Sequence, residues 1–271
     1  MIELSTLKAS KAILSPRIVL YGTAKAGKTT FASTIPNNLL LDVEGGSGAV
    51  NIARVERESL DTYDKFMSVL KSVYEQKHDF SCVTIDTLDL LEQIIFTQAA
   101  KEHGKNSIAD VGYGAGYVTA VNIWKQVLQG LDMLREERKM MVLLIGHDVV
   151  RRHDDPITES YDRYNINLHE KTGGIIKAWA DIIAFVNNEV FIKSEEVGFN
   201  SKVKRAKGGE RVLHLIESPA FIAGNRYGLP AEVNFTWDAL SEVLTNTLMN
   251  NAQSSDVSAT DTKKKSKAKE Q

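Results

Sequence analysis

Residues Gly22 to Thr29 read GTAKAGKT, which fits GxxxxGK[ST]; the octapeptide follows the apolar run Ile18 to Tyr21 and leads into a stretch of helical period. No other feature constrains the fold as strongly, because this motif works where a strand hands over to a helix N-terminus. The glycines let backbone N–H groups wrap phosphates, and the helix end favours negative charge. In that setting Lys28 is expected to reach the β- and γ-phosphates of ATP and Thr29 to ligate Mg²⁺. Gly22, Thr23, Ala24, Lys25, Ala26, Gly27 and Thr30 complete the expected nucleotide contact.

Short apolar runs at Ile18 to Tyr21, Leu39 to Leu41, Cys82 to Ile85 and Met141 to Ile145 alternate with helical stretches. This alternation predicts an α/β fold with a mostly parallel sheet flanked by helices. Leu60, Tyr63, Phe66, Met67, Leu70, Val73 and Tyr74 share one helical face, the pattern of a crossover helix packed on the core. After Asp181 the runs Ile182 to Val186, Glu189 to Lys193, Lys202 to Arg205 and Arg211 to Ile216 predict an antiparallel, hairpin-rich edge, with Gly208-Gly209 as a turn. From about Asn250 apolar residues almost vanish, which divides the chain into a core over 1–249 and a disordered basic tail over 250–271.

The 33 basic and 35 acidic residues exclude a globally basic nucleic-acid binder, so any polyanion contact must come from a local patch. The longest apolar run, Met140 to Ile145, is far below the roughly 20 residues of a membrane helix, and the charged N-terminus lacks a signal-peptide layout. The expectation is a cytoplasmic protein without a membrane partner. A single cysteine, Cys82, allows neither an intrachain disulfide nor a cysteine-based zinc cluster and reads as an inert core thiol.

Asp86 ends the run VTID at the expected carboxyl edge of the sheet, beside the crevice where open α/β sheets bind ligands. It is the natural Walker B acid for Mg²⁺. Hydrolysis also needs a carboxylate to orient or deprotonate water. The residue after Asp86 is Thr87, so the alternative is Glu44 in LLLDVEGG, which equally fits a loop acid capping a Gly-Gly turn.

Together these residues resemble the RecA-type recombinase core, where one strand ends in Asp-x-Glu and the Walker B strand is followed by Ser or Thr. More narrowly, the chain is similar to short phage nucleotide-binding proteins of the AAA_24 type, a group that includes phage RecA-like single-strand annealing ATPases. The resemblance runs from about Ile18 to Leu244 and rests on the P-loop, DVEGG, IDTLD, GYGAGY and NRYGLP. It implies Glu44 as catalytic base, Asp86 as Mg²⁺ ligand and His147 as a sensor of the γ-phosphate, although a strand-end histidine is also often structural. In related helicases a KNRFG-like segment donates Lys and Arg to the next subunit. GNRYG, Gly224 to Gly228, keeps Arg226 as a candidate arginine finger but lacks the Lys, for which Lys202, Lys204 and Lys207 are possible substitutes. The plain alternative is that Arg226 pairs with an acid beside a turn.

The same resemblance implies two mobile loops for single-stranded DNA. The first candidate, Lys101 to Tyr117, combines Lys101 and Lys105 with Tyr113 and Tyr117, whose rings could stack on bases or pack the start of the next helix. The second runs without predicted structure from Asp148 to Thr172 and includes Arg151, Arg152, His153, Arg163 and Lys171. His153 and His169 lack metal-ligand spacing. The tail lysines Lys263, Lys264, Lys265, Lys267 and Lys269 would add nonspecific attraction. The expected partners are single-stranded DNA, further copies of the chain in a ring or filament, and a single-strand-binding protein. The rival readings are a P-loop kinase of a small substrate, with Arg151, Arg152 and Arg163 in a lid, and a nucleotide-switched partner-binding protein.

Overall fold

Strand β1, Arg17–Gly22, lies in the middle of the sheet, between β5, Met141–His153, and β7, Ile182–Glu196, and parallel to both. The computed structural model describes residues 14–196 and 202–248, with side chains described outside 188–209. Beyond β5 follow β4, Cys82–Asp86, then β2, Asn38–Asp42, and at the edge β3, Ala53–Val55, all parallel. Beyond β7 the pairing turns antiparallel through β8, Lys202–His214, to β10, Glu232–Asn234, while β6, Tyr161–Ile166, pairs with β5 and β9, Gly224–Asn225, with β7. The expected α/β class with its antiparallel edge is the observed architecture of a P-loop NTPase core.

Helices cover both faces, which is why β2 and β4 are buried along their whole length. The two-residue period of β1 sends Val19 and Tyr21 to one core and Ile18 and Leu20 to the other. The first core packs α2, Tyr63–Glu75, α3, Leu88–Glu102, and α4, Ala115–Glu136, through Phe66, Leu70, Leu91, Ile95, Trp124 and Leu131. The second packs α1, Lys28–Ser33, and the helix at 237–248, called α6 below because α5 spans Glu170–Trp179, through Phe31, Leu240 and Leu244. Thr62 starts α2 by accepting the Lys65 N–H, and the apolar stripe read from the sequence faces the core as expected. Cys82 is buried in β4, where burial pushes its thiol up to about 12. Among the described residues no helix is long and apolar enough to cross a membrane.

Three sequence expectations change. Residues 148–172 are not structureless: β5 continues to His153 and forms a hairpin with β6, from Asp148↔Ile166 to His153↔Tyr161, and α5 begins at Glu170. Val149 and Val150 favour extended backbone, and pairing with β6 supplies a ladder that satisfies the backbone groups, which a bare loop would leave open. Likewise β7 and β8 are each continuous, and Gly208-Gly209 is not a turn. Asn188 pairs with Arg211 and Val190 with Gly208, so β8 holds one extra residue there and the glycines accommodate a β-bulge. Edge strand β3 was too short to stand out as an apolar run. The tail over 250–271 lies outside the described residues.

The amino edge of the sheet is fastened by one carboxylate. Asp181, just before β7, accepts from the Arg17 N–H at 3.1 Å, from Arg17 Nη2 at 2.9 Å, from Arg135 Nη2 at 3.1 Å and from Arg226 Nη1 at 3.1 Å. Burial opposes the charge on Asp181, but the Arg17 bonds and the guanidinium charges together hold its pKa below the usual range. Asp181→Ala strands Arg135 in the interior, while Asp132 stays 3.2 Å from Arg17. The expected loss is roughly 3 kcal/mol, the low end for breaking a buried pair, read as a lower urea midpoint at unchanged slope.

Candidate nucleotide site

The site begins where β1 runs out at the carboxyl edge. A Cβ on Gly22 would stand 2.3 Å from Val186 O on β7, so a residue with a side chain would push the central strands apart. The chain then turns through 23–27, and Gly27, at φ 94°, delivers the first helical residue, Lys28. Lys28 is 5% exposed, and its Nζ donates to Gly22 O at 2.7 Å and Thr23 O at 2.9 Å. Burial lowers its pKa, against the pull of Asp86, Asp148 and Asp89. The ammonium is thus parked on the carbonyls of its own loop, facing acids, with phosphate as a stronger partner in reach of the same loop.

Thr29 Oγ1 donates to Asp86 Oδ2 at 2.7 Å, joining the P-loop helix to the end of β4 across the intervening β5. Asp86 is 3% exposed and its carboxyl is pushed up to about 6, first by burial and then, against the Thr29 bond, by Glu44 and Asp42. Glu44 donates its backbone N–H to Asp86 O at 2.9 Å and is exposed. Its side chain and those of Lys28, Thr29, Asp86 and His147 line one cleft of about 360 Å³ with Ala24, Lys25, Gly27 and Thr30. The turn carrying Glu44 is organised by a residue the sequence reading passed over. Buried Asp42 accepts from Gly45 N–H at 2.7 Å and from Ser47 N–H at 3.1 Å. The spacing Asp-x-x-Gly-x-Ser was the available signal, because Asp side chains bond their own backbone a few residues on.

His147, where β5 leaves the parallel sheet, has Nδ1 2.9 Å from Asp89 Oδ2. The Asp89 bond holds the imidazole above its usual range, ahead of burial acting the other way. Asp89 sits below its range through the same bond, in spite of burial. Asp89, in the first turn of α3, was not read from the sequence because its role depends on which way that helix faces. The donor set fits magnesium ATP: Lys28 and the loop N–H groups for phosphates, Thr29 Oγ1 and Asp86 for the metal, Glu44 beside them. The bound ion would supply positive charge against the phosphates and against buried Asp86.

Other expected site residues fall elsewhere. Arg226 lies at the amino edge, opposite the P-loop, bound to Asp181 and, through Nη2, to Ala178 O at 2.6 Å. Within the subunit it pairs with an acid beside a turn and takes no part in the nucleotide cleft. Arg163 is not offered to a polyanion either: its side chain is 11% exposed and donates to Glu217 and to Ser218 O and Phe221 O, tying the β5–β6 hairpin to 217–221. Arg151 donates to Leu168 O, whereas Arg152 is 72% exposed. Arg151, Arg152 and His153 line a cleft of about 370 Å³ with Glu170 and Lys177, a cation that sequence reading missed because α5 brings it there. Lys171, Lys101 and Lys105 are exposed. Tyr113 is fully exposed at φ 54°, while Tyr117 is stacked on His169 at 4.3 Å, so it packs the start of α4. The side chains of Lys202, Lys204 and Lys207 lie outside the described residues.

Residues 14–227 match the family model AAA_24, described as an AAA domain. No curated protein matches the chain.

Asp86 gives the site a pH signature. Its folded pKa of about 6 stands above the ordinary 3.8, so its contribution to stability is full below pH 3.8 and is lost as pH rises through about 6. Asp86→Asn removes a buried charge. Without ligand at pH 8 the variant is expected to equal or exceed wild type, by up to about 3 kcal/mol, while the gain in melting temperature from magnesium ATP disappears. Thermal unfolding at pH 5 and pH 8, with and without magnesium ATP, checks both halves.

Proposed function

The chain belongs to AAA_24, a family of AAA domains within the P-loop NTPase class, and from that premise we propose an ATP-dependent, single-stranded-DNA-binding recombination protein that acts as an oligomer. The observation that carries the reading is the continuity of β5. The strand that places His147 in the nucleotide cleft runs on without a break into the hairpin that bears Arg151 and Arg152, roughly 17 Å further along. A shift of His147 towards or away from a γ-phosphate is passed down a rigid ladder to a basic cleft.

A second route leaves through α3. Asp89 holds His147, and Glu92, one turn later, accepts the His169 N–H at 2.9 Å, while His169 carries Tyr117 on its ring. The Tyr63–Gln126 and Tyr74–Glu137 bonds lay α2 beside the second half of α4. The first half of α4, with Tyr117 and the adjacent Tyr113, therefore reaches roughly 16 Å past the start of α2, on the side of the sheet that holds the P-loop. Lysines, arginines and an exposed tyrosine on that side suit a phosphate backbone and unstacked bases without demanding a sequence.

In the proposed cycle Lys28 holds the phosphates, Thr29 and Asp86 hold the metal, and Glu44 orients and deprotonates the attacking water. Arg226 would serve a neighbouring subunit, and only by leaving Asp181. Strand annealing or exchange, and loading through a single-strand-binding protein, extend the reading by resemblance.

The test is fluorescence anisotropy of a labelled single-stranded oligonucleotide with no nucleotide, ADP or ATP, at low and moderate salt. Binding is expected to need ATP, to be lost in Lys28→Ala, and to weaken with salt, with Arg152→Ala lowering the salt slope by about 1. Glu44→Gln is expected to keep ATP-dependent DNA binding and to lower hydrolysis at least about 100-fold. No binding under any condition sinks the reading. ATP consumption that needs a small acceptor would point to a kinase, and full function in Glu44→Gln to a non-catalytic switch.

A further inference from the structure

We infer that the nucleoside half of the nucleotide, a purine base with its ribose, lies in a second cleft that continues the phosphate cradle and is closed by Arg211, Phe235 and Trp237. The inference rests on the reading of the P-loop cleft as a nucleotide site and adds which part of the molecule recognises the rest of that ligand. This cleft, also of about 360 Å³, shares Gly27 and Thr30 with the phosphate cleft, so the two form one trough along the start of α1. Phe235 to Asp238 fall beyond residues 14–227, so membership of the family does not supply them.

The lining is aromatic where the phosphate cleft is charged. Phe31, buried in α1, carries Phe235 flat upon it, with ring centres 5.0 Å apart and planes 3° from parallel, and meets Trp237 edge-on at 6.3 Å. Phe31 is spent inside the core, but Phe235 and Trp237 are only half-buried and border the open cleft. A planar heterocycle is the chemistry that covers such rings, and the two fused rings of a purine cover more of them than a pyrimidine does. At the rim the exposed Asp238 carboxylate offers an acceptor for ribose hydroxyls or base N–H groups, and Thr30 offers a hydroxyl.

The aromatic wall is held in register with the phosphate loop. Arg211 Nη1 donates to Ala26 O at 2.8 Å, and Arg211 O accepts the Phe235 N–H at 3.2 Å. One residue of β8 therefore grips the P-loop with its side chain and positions the aromatic segment with its backbone. The β8–β10 pairing, with Val212 opposite Asn234, fixes that geometry. An Arg211 guanidinium at the junction of the two clefts also brings positive charge to the boundary between ribose and phosphate.

The experiment is calorimetric titration of wild type, Phe235→Leu, Phe235→Ala and Lys28→Ala with magnesium complexes of ATP, CTP and inorganic tripolyphosphate. Phe235→Leu keeps an apolar side chain on Phe31, so it guards against a variant that fails to fold. Wild type is expected to bind ATP more tightly than CTP. Both Phe235 variants are expected to weaken ATP roughly 10-fold and leave tripolyphosphate unchanged, whereas Lys28→Ala weakens both. The change in tryptophan emission on adding ATP is expected to vanish in Trp237→Phe. Equal weakening of ATP and tripolyphosphate in Phe235→Leu, or unchanged ATP binding, overturns the inference while leaving the phosphate cradle intact. If wild type binds neither ATP nor tripolyphosphate, the nucleotide reading itself falls.

Discussion

The contact between Gly22 and Val186 O decides where everything else in the site can be. Three parallel strands meet there, and β7 closes on β1 only because no Cβ intervenes at 2.3 Å. With that spacing Gly22 O and Thr23 O point at Lys28 Nζ, the loop delivers Thr29 to Asp86, and β5 places His147 directly opposite Gly22 in the register. Widening this junction by one methyl group would disturb Lys28 and Thr29 on α1 and His147 on β5 at once. Close packing leaves no room to absorb such a change locally.

The two edges of the sheet handle charge in opposite ways. At the amino edge Asp181 is matched by guanidinium groups from Arg17, Arg135 and Arg226, and its charge is favoured. At the carboxyl edge Asp86 and Lys28 are both shifted against their charged forms by burial. The first arrangement clamps the ends of β1, α4 and β7. The second leaves polar groups short of ideal partners, which a phosphate with its counterion would supply. Stability is thus concentrated at one edge, and a bound ligand would offset the cost of the buried charges at the other.

The sequence was most informative where structure is local or periodic. The P-loop, the ends of β2 and β4 and the stripe of α2 are read from a few adjacent residues, and they bring Lys28, Thr29, Glu44, Asp86 and His147 to one cleft. What escaped depends on distant partners. The partner of Arg226 is Asp181, 45 residues back, and Arg163 is held by 217–221. The bulge at Gly208-Gly209 exists only because β7 runs on beside it, since the same dipeptide in isolation reads as a turn. Phe235 gains meaning from Phe31, about 200 residues earlier, and periodicity carries no information across that gap.

The position of β1 also bears on how the chain is made. Among the described residues it is the first strand along the chain, yet its two neighbours begin at Met141 and Ile182. An apolar strand with both ladders open must wait while about 120 further residues are added, roughly 6 to 24 s at ordinary rates of synthesis. During that interval β2, β3 and β4 have each other, but the segment that will carry the phosphate loop has no native strand to pair with. Newborn chains would present it as an adhesive edge to one another, so the centre of the sheet closes only after the β2–β3–β4 flank has its strands, and crowding on a polysome favours misassembly at that centre.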